Sequence, residues 1–407
     1  MLNRMVEEGC KPNVVTYSAM IDGLLKDGLV IEAFNLFLKI KSEGILPDVV
    51  TYNSLIHGLC KSGRWKKAVM LINEMSEVNI TPNLITFNGL IDGLCKEGMV
   101  SKARDVVELM MQRAMKPDVI TYSSLMDGYC LHNKVDQARE MFDLMVSKGC
   151  TTNVFTYNIL IHCYCKRKMI DEAMQLLDEM SCKGLIPSHA TYNSLMCGLC
   201  KAKSPWNAHK FFMNLCASGH SPNVVAYSVL IDGFCKYGCI DMALTLFHEM
   251  QTNLLKPNHI VYNALIDGMF KAGRHKNAKE LFSKLSIEGL QPSIYTYNIM
   301  INGLCKEGLV DEALRVFRKM EGNGCMPDSC SYNVIIQGYL KNNDSFMATQ
   351  LTDEMEGNGC MPDSCSYNVI IQGYLKNNDL FMATQLTDEM VGMGFSANVT
   401  EYINECE

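Results

Sequence analysis

A tyrosine returns every 35 residues from one end of the chain to the other. It appears as Tyr17, Tyr52, Phe87 (the one aromatic substitute), Tyr122, Tyr157, Tyr192, Tyr227, Tyr262, Tyr297, Tyr332, Tyr367 and Tyr402. A fixed period of this length marks stacked supersecondary units, each too small to bury its apolar face alone. Counted from three residues before the Tyr, the 407 residues divide into a leading segment 1–13, eleven full units and a nine-residue start of another, 399–407. The units are 14–48, 49–83, 84–118, 119–153, 154–188, 189–223, 224–258, 259–293, 294–328, 329–363 and 364–398. Length alone would give two or three globular domains, but the unbroken period leaves no insertion for another one.

The third unit displays the pattern. Phe87, Leu90, Ile91 and Leu94 recur at helical spacing, Gly98 interrupts, and Val100, Ala103, Val106, Val107 and Met110 resume it. Pro117 closes the unit, and in most copies a Gly stands three residues before that position, as Gly44, Gly149 and Gly289 do. Gly at a helix end with Pro just beyond is a stop signal. Each unit therefore reads as a helix-turn-helix hairpin, and the expected fold is an all-α solenoid. Residues 1–13 align with a second helix lacking its first, and 399–407 with a unit that stops early. Neither has a polar cap, so the chain is expected to be an internal stretch of a longer array or a truncated product. Residues 321–355 and 356–390 differ only at Ser345 and Leu380, as after a recent tandem duplication.

Nineteen cysteines invite a disulfide or metal reading, but their phase opposes it. Cys60, Cys95, Cys130, Cys165, Cys200, Cys235 and Cys305 hold one repeat position, and Cys10, Cys150, Cys325 and Cys360 another. Equivalent positions in stacked units lie too far apart for a bridge, so these are expected to be small buried apolar groups. The Cys197–Cys200 pair and the His162, Cys163, Cys165 group have no partner pair at zinc spacing, and no metal is expected. No phosphate-binding loop, dinucleotide fingerprint, metalloprotease motif or nucleophile elbow is present. The chain is read as a binding surface rather than an enzyme, with no catalytic residues and no cofactor. No apolar run is long enough to span a membrane.

Placed at 100° per residue, unit positions 4, 7, 8 and 11 form the core stripe, and positions 2, 5, 9 and 13 form the opposite one, expected to face solvent or ligand. Position 13 is lysine in ten units: Lys26, Lys61, Lys96, Lys166, Lys201, Lys236, Lys271, Lys306, Lys341 and Lys376, with Leu131 the exception. Position 5 is Asn in eight units and Ser in three. Position 2 is apolar almost throughout: Val15, Val50, Ile85, Ile120, Phe155, Ala190, Val225, Ile260, Tyr295, then Cys330 and Cys365. Lysines for phosphates, amides and hydroxyls for base edges, and apolar groups for base faces suit a single strand of nucleic acid. The net charge of −7 runs against a nucleic-acid binder. Local field matters more than the total, and acids such as Asp171–Glu172, Asp311–Glu312 and Asp353–Glu354 fall in second helices.

"VVTYNSLIHGLCKSGRWKKAVMLINEM", from Val49, together with the 35-residue period, resembles the pentatricopeptide repeat family, in its P class, over the whole chain. The near-identical units are similar to the restorer-of-fertility-like subgroup of plant organelle proteins. The resemblance implies a right-handed superhelix. It also implies binding to organellar single-stranded RNA in transcript processing, stability or translation, with a nuclease or other factor recruited, in the mitochondrion (or chloroplast). No targeting peptide is visible, and no deaminase-like or endonuclease-like tail follows the array.

In that family one base is read per unit by position 5 with position 35. Asp accepts only, which suits the ring N–H of U or G, while Asn and Ser also donate, which suits the bare ring nitrogen of C or A. Ser at position 5 leaves room for a purine. Ser18 with Asp48 then implies G; Asn53 with Asn83, C or U; Asn88 with Asp118, U; Ser123 with Asn153, A. Asn158 with Ser188 implies C; Asn193 with Asn223, C or U; Ser228 with Asn258, A; Asn263 with Ser293, C. Asn298 with Asp328 and Asn333 with Asp363 imply U, and Asn368 with Asn398 C or U. The implied target is 5′-GYUACYACUUY-3′, where Y is either pyrimidine. Capping alone would also favour Asp, Asn and Ser at position 35, just before a helix. A protein-binding tetratricopeptide-type scaffold is the main alternative, although its 34-residue unit would slip ten residues over eleven copies. A non-functional fragment of a longer gene is the other.

Overall fold

A computed structural model describes residues 12–395. The described residues form 22 α-helices of 13 residues each and contain no strand. Every repeat position from 1 to 13 is helical, as in Leu84–Lys96, and so is every position from 17 to 29, as in Val100–Gln112. The fold is an all-α solenoid. By internal packing the chain divides into two compact units, residues 1–202 and 203–407. The division falls in the turn of the hairpin from repeat 189–223. Within each unit, first helices pack on their own second helix and on the first helix of the following repeat.

Helix ends follow local chemistry. In the third repeat Gly98 has φ +79°, its N–H bonds Cys95 O at 3.1 Å, and Met99 N–H bonds Leu94 O at 2.9 Å. This paired closure needs a left-handed residue. All eleven residues at position 15 have positive φ, including Asn133, Lys168 and Asn343. So do all eleven at position 31.

The repeating Tyr ties three helices together. Tyr52 is fully buried, stands edge-on to Phe37 of the preceding repeat (5.2 Å, 75°), and donates to Glu74 of its own second helix at 2.6 Å. Phe142–Tyr157, Phe212–Tyr227, Phe247–Tyr262, Phe282–Tyr297 and Phe317–Tyr332 repeat the edge contact. Each such pair is worth about 0.5–1.5 kcal/mol beyond its buried area. In every second helix the residue at position 20 is a buried alanine, from Ala33 to Ala383, which allows close packing.

The cysteine column has a steric cause. A Cβ added to Gly93 would lie 2.3 Å from Cys60 Cβ, and one added to Gly128 would lie 2.6 Å from Cys95 Cβ. Gly198 on Cys165, Gly268 on Cys235 and Gly338 on Cys305 repeat the fit. Stacked first helices touch where a small thiol on one meets a bare backbone on the next. Cys60, Cys95, Cys130, Cys165, Cys235 and Cys305 are buried and free, while Cys200 is half-buried. In the fifth repeat Cys163 replaces the glycine, and the neighbouring Cys130 thiol lowers the Cys163 pKa. Cys10 lies outside the described residues.

Candidate nucleic-acid interface

Position 35 is the N-cap of the next repeat's first helix. Asp48, Asn83, Asp118, Asn153, Ser188, Asn223, Asn258, Ser293, Asp328 and Asp363 each accept the N–H of the residue three positions on. Asn398 lies outside the described residues. Capping is therefore a job of every described residue in this column. It does not exhaust their capacity. Asp118 uses Oδ1 for Thr121 N–H (2.9 Å) and Asn88 Nδ2 (3.2 Å). Asp328 and Asp363 likewise cap through Oδ1. The Ser366 backbone N–H, seconded by the Ser366 hydroxyl, holds the Asp363 carboxyl below the usual carboxylate range. An ionised Asp cap keeps a second acceptor, Oδ2, whereas an Asn cap keeps a donor, Nδ2. The cap fixes which atom is left over.

Position 5 departs from the helical projection. It does not stand on an open face. Ser18, Asn88, Ser123, Ser228 and Asn263 are buried, and Asn53, Asn158, Asn193, Asn298, Asn333 and Asn368 are half-buried. The reason is the neighbouring first helix, which stacks over this side and which a projection of one isolated helix omits. Stacking also brings positions 5 and 35 together. Asn53 Nδ2 donates to Asn83 Oδ1 at 3.3 Å, Asn88 Nδ2 to Asp118 Oδ1 at 3.2 Å, and Asn158 Nδ2 to Ser188 Oγ at 3.4 Å. The pair Asn193 and Asn223 is divided between the two compact units.

A third residue completes this junction: the hydroxyl at position 3 of the next repeat. Thr86 Oγ1 donates to Asn53 Oδ1 at 2.6 Å and accepts Asn83 N–H at 3.0 Å. Thr121 and Thr191 serve Asn88 (2.7 Å) and Asn158 (2.6 Å) the same way. A hydroxyl has one proton to give. Thr156 gives its proton to Asn153 O, and Ser331 and Ser366 give theirs to Asp328 and Asp363. Thr296 is engaged with Ser293. In those four places the preceding position-5 oxygen is buried without a partner: Ser123 Oγ, Asn298 Oδ1, Asn333 Oδ1 and Asn263 Oδ1.

Position 2 stands out from the protein in every repeat. Val15, Val50, Ile85, Ile120, Phe155, Val225, Ile260 and Tyr295 are 51–68 % exposed. Ala190, Cys330 and Cys365 are exposed too. In the first unit a groove of about 460 Å³ runs between these columns, lined by Ile85, Ile120 and Phe155 with Asn53, Asn88 and Ser123. The position-2 column thus gives this groove an apolar side and the position-5 column a polar one.

The PPR repeat family matches at 12–61, 47–96, 82–131, 117–166, 152–201, 187–236, 222–260, 257–306, 293–337 and 327–373, and a PPR repeat matches at 358–391. The chain belongs to the PPR repeat family. Among solved PPR structures, that of PPR10 from maize is 25% identical, with 98% of this chain and 67% of that one covered, at TM-score 0.54. PPR10 in complex with an 18-nt psaJ RNA element is 21% identical over 97% and 77% of the two chains, at TM-score 0.38. Yeast Rmd9p in complex with a 16-nt target RNA is 10% identical over 94% and 91%, at TM-score 0.43. A search of curated protein sequences returned no match.

The lysines of the PPR column are not equivalent. Lys26 pairs with Asp22 (2.7 Å), Lys96 with Asp92 (2.6 Å), Lys236 with Asp232 (2.7 Å) and Lys271 with Asp267 (2.5 Å). Each acid is at position 9, one turn before its lysine. Lys61, Lys166, Lys201, Lys306, Lys341 and Lys376 have His57, His162, Cys197, Asn302, Gln337 and Gln372 there instead. Acid is thus not confined to second helices. Asp127, in the repeat with Leu131, has its carboxyl pKa raised by burial and by Asp92. Burial, then Lys201 and Lys166, lower the pKa of His162.

Proposed function

We propose that this PPR chain binds single-stranded RNA sequence-specifically, one base per repeat, with 5′-GYUACYACUUY-3′ as target. We propose further that it acts, as a P-class, restorer-of-fertility-like factor, in organellar RNA processing, stability or translation, with any cleavage done by a recruited partner. The observation that carries the reading is the direct pairing of positions 5 and 35 at the repeat junction, Asn53 with Asn83, Asn88 with Asp118 and Asn158 with Ser188, beside the groove lined by the position-2 column.

Two further observations support it. The cap bond on Oδ1 orients the remaining atom of position 35, so Asp118 offers an acceptor to the ring N–H of U, and Asn153 a donor to the bare ring nitrogen of A. The exposed column at position 2 supplies an apolar face for each base to rest on. The test is affinity for the 11-nucleotide target beside a scrambled strand of the same composition, at one stated salt concentration. The target should bind on the order of 100-fold more tightly, as a few mismatched positions would give. Equal affinities would sink the base-reading claim.

A further inference from the structure

We infer that position 9 decides which repeats hold the RNA backbone, by setting whether the lysine at position 13 is already neutralised. The inference rests on the RNA-binding reading and sharpens its electrostatics. Four lysines, Lys26, Lys96, Lys236 and Lys271, carry an aspartate within 2.5–2.7 Å. Six have a neutral amide, His or Cys at that position. Among the described residues no ion pair engages Lys61, Lys166, Lys201, Lys306, Lys341 or Lys376.

The paired lysines do not need to be immobile for this to matter. Their side chains are 52–76 % exposed, and exposed pairs of this kind are weak. A phosphate can therefore draw the lysine across. The aspartate is then left one turn away, well within a Debye length, and takes up a cation in turn. The exchange releases no net counterion. Only the unpaired lysines contribute to the salt dependence of binding.

The pattern along the chain is uneven. Repeats 3 and 4 contribute Asp92 against Lys96 and an unmatched Asp127, and repeats 7 and 8 contribute two neutral pairs. Repeats 9, 10 and 11 present Lys306, Lys341 and Lys376 in succession with no acid at position 9. Phosphate grip is strongest along repeats 9 to 11, with repeats 2, 5 and 6 also contributing, while repeats 1, 3, 4, 7 and 8 hold RNA through their bases.

Single-strand binding loses about 0.7 in the log–log salt slope per phosphate neutralised. Ten lysines would give a slope near 7, and affinity would fall about 16,000-fold between 50 and 200 mM salt. Six give a slope near 4, or a fall of about 300-fold over the same range. The experiment is titration of the intact chain with the 11-nucleotide target across that range, beside Asp232→Asn/Asp267→Asn and Asn302→Asp/Gln337→Asp. The expected slopes are about 4, about 5.5 and about 3. A rise cannot come from misfolding, so the first double variant guards the second. A wild-type slope near 7, or slopes that ignore both double variants, would overturn the inference and leave RNA binding standing. No binding of the target by the wild type at any of these salt concentrations would overturn both.

Discussion

Replacing Gly93 with alanine should loosen the stack between the second and third repeats, although the same change four residues earlier should tighten it. In a helix interior alanine is favoured over glycine by about 1 kcal/mol. At Gly89 an added Cβ meets no heavy atom within 4 Å, so Gly89→Ala should stabilise by about that amount. At Gly93 the new Cβ would lie 2.3 Å from Cys60 Cβ, 2.9 Å from its Sγ and 3.2 Å from its Cα. Carbon atoms prefer about 3.5–4.0 Å. A rotamer change at Cys60 moves only the sulfur, so the two helices themselves must separate. Overpacking of this kind costs about 1–3 kcal/mol, and a backbone contact belongs at the upper end. The net is a loss of about 2 kcal/mol, and the two variants should differ by about 3 kcal/mol. Repeat arrays need not unfold as one unit, so the assay is amide hydrogen exchange resolved by helix. Helices 49–61 and 84–96 should lose about 30-fold protection in Gly93→Ala and gain several-fold in Gly89→Ala, at tenfold per 1.4 kcal/mol. Equal changes of the same sign in both variants would refute the reasoning.

Three other outcomes follow from the same geometry. Thr86→Val keeps the shape of a side chain that is 1 % exposed but removes the donor to Asn53 Oδ1 and the acceptor of Asn83 N–H. It should destabilise the junction by about 1–3 kcal/mol in urea unfolding, and no change would refute the bridging role. Iodoacetamide at pH 8 should modify exposed Cys182, Cys330 and Cys365 in the native protein. It should spare Cys60, Cys95, Cys165, Cys235 and Cys305, whose thiols burial pushes up to about 12; mass spectrometry showing early modification of Cys235 would contradict this. Arg318, 2.6 Å away, holds the Glu354 carboxyl below its ordinary 4.5. That stability is complete above pH 4.5 and fades as pH falls through the lowered value. The melting temperature of the wild type should therefore drop more between pH 5 and 3 than that of Glu354→Gln.

Much of this protein is legible in its sequence because each element is set by residues close to it. The Asx or Ser cap at position 35, the core residues from Phe87 to Leu94 and the turn at Gly98 all act within one hairpin. They place both helices of the repeat. The exposure of Ile85 and Phe155 follows from helical phase alone. What escapes is what a neighbouring repeat imposes. Asn88 and Ser123 lie opposite the core stripe by phase, yet the next first helix covers them. Cys60 and Cys95 announce themselves as apolar, but only stacking shows that they fill the gap over Gly93 and Gly128. The Asp232–Lys236 pair was open to reading, since position 9 and position 13 are one turn apart. It emerges only when two columns are compared rather than each on its own.

The most direct test of one-base readout is Asp118→Asn in the third repeat. Asparagine caps as well as aspartate, and Oδ1 would keep its bonds to Thr121 N–H and Asn88 Nδ2. The one chemical change is a donor where Asp118 had a second acceptor. Binding should be measured to four RNAs that differ only at the third base of the target, for wild type and variant at one salt concentration. The account predicts an unchanged melting temperature and a U preference that relaxes toward C, as for the Asn53–Asn83 pair, at that base alone. A U preference retained by a variant that folds and binds as the wild type does would contradict it, and would leave position 35 as a helix cap and nothing more.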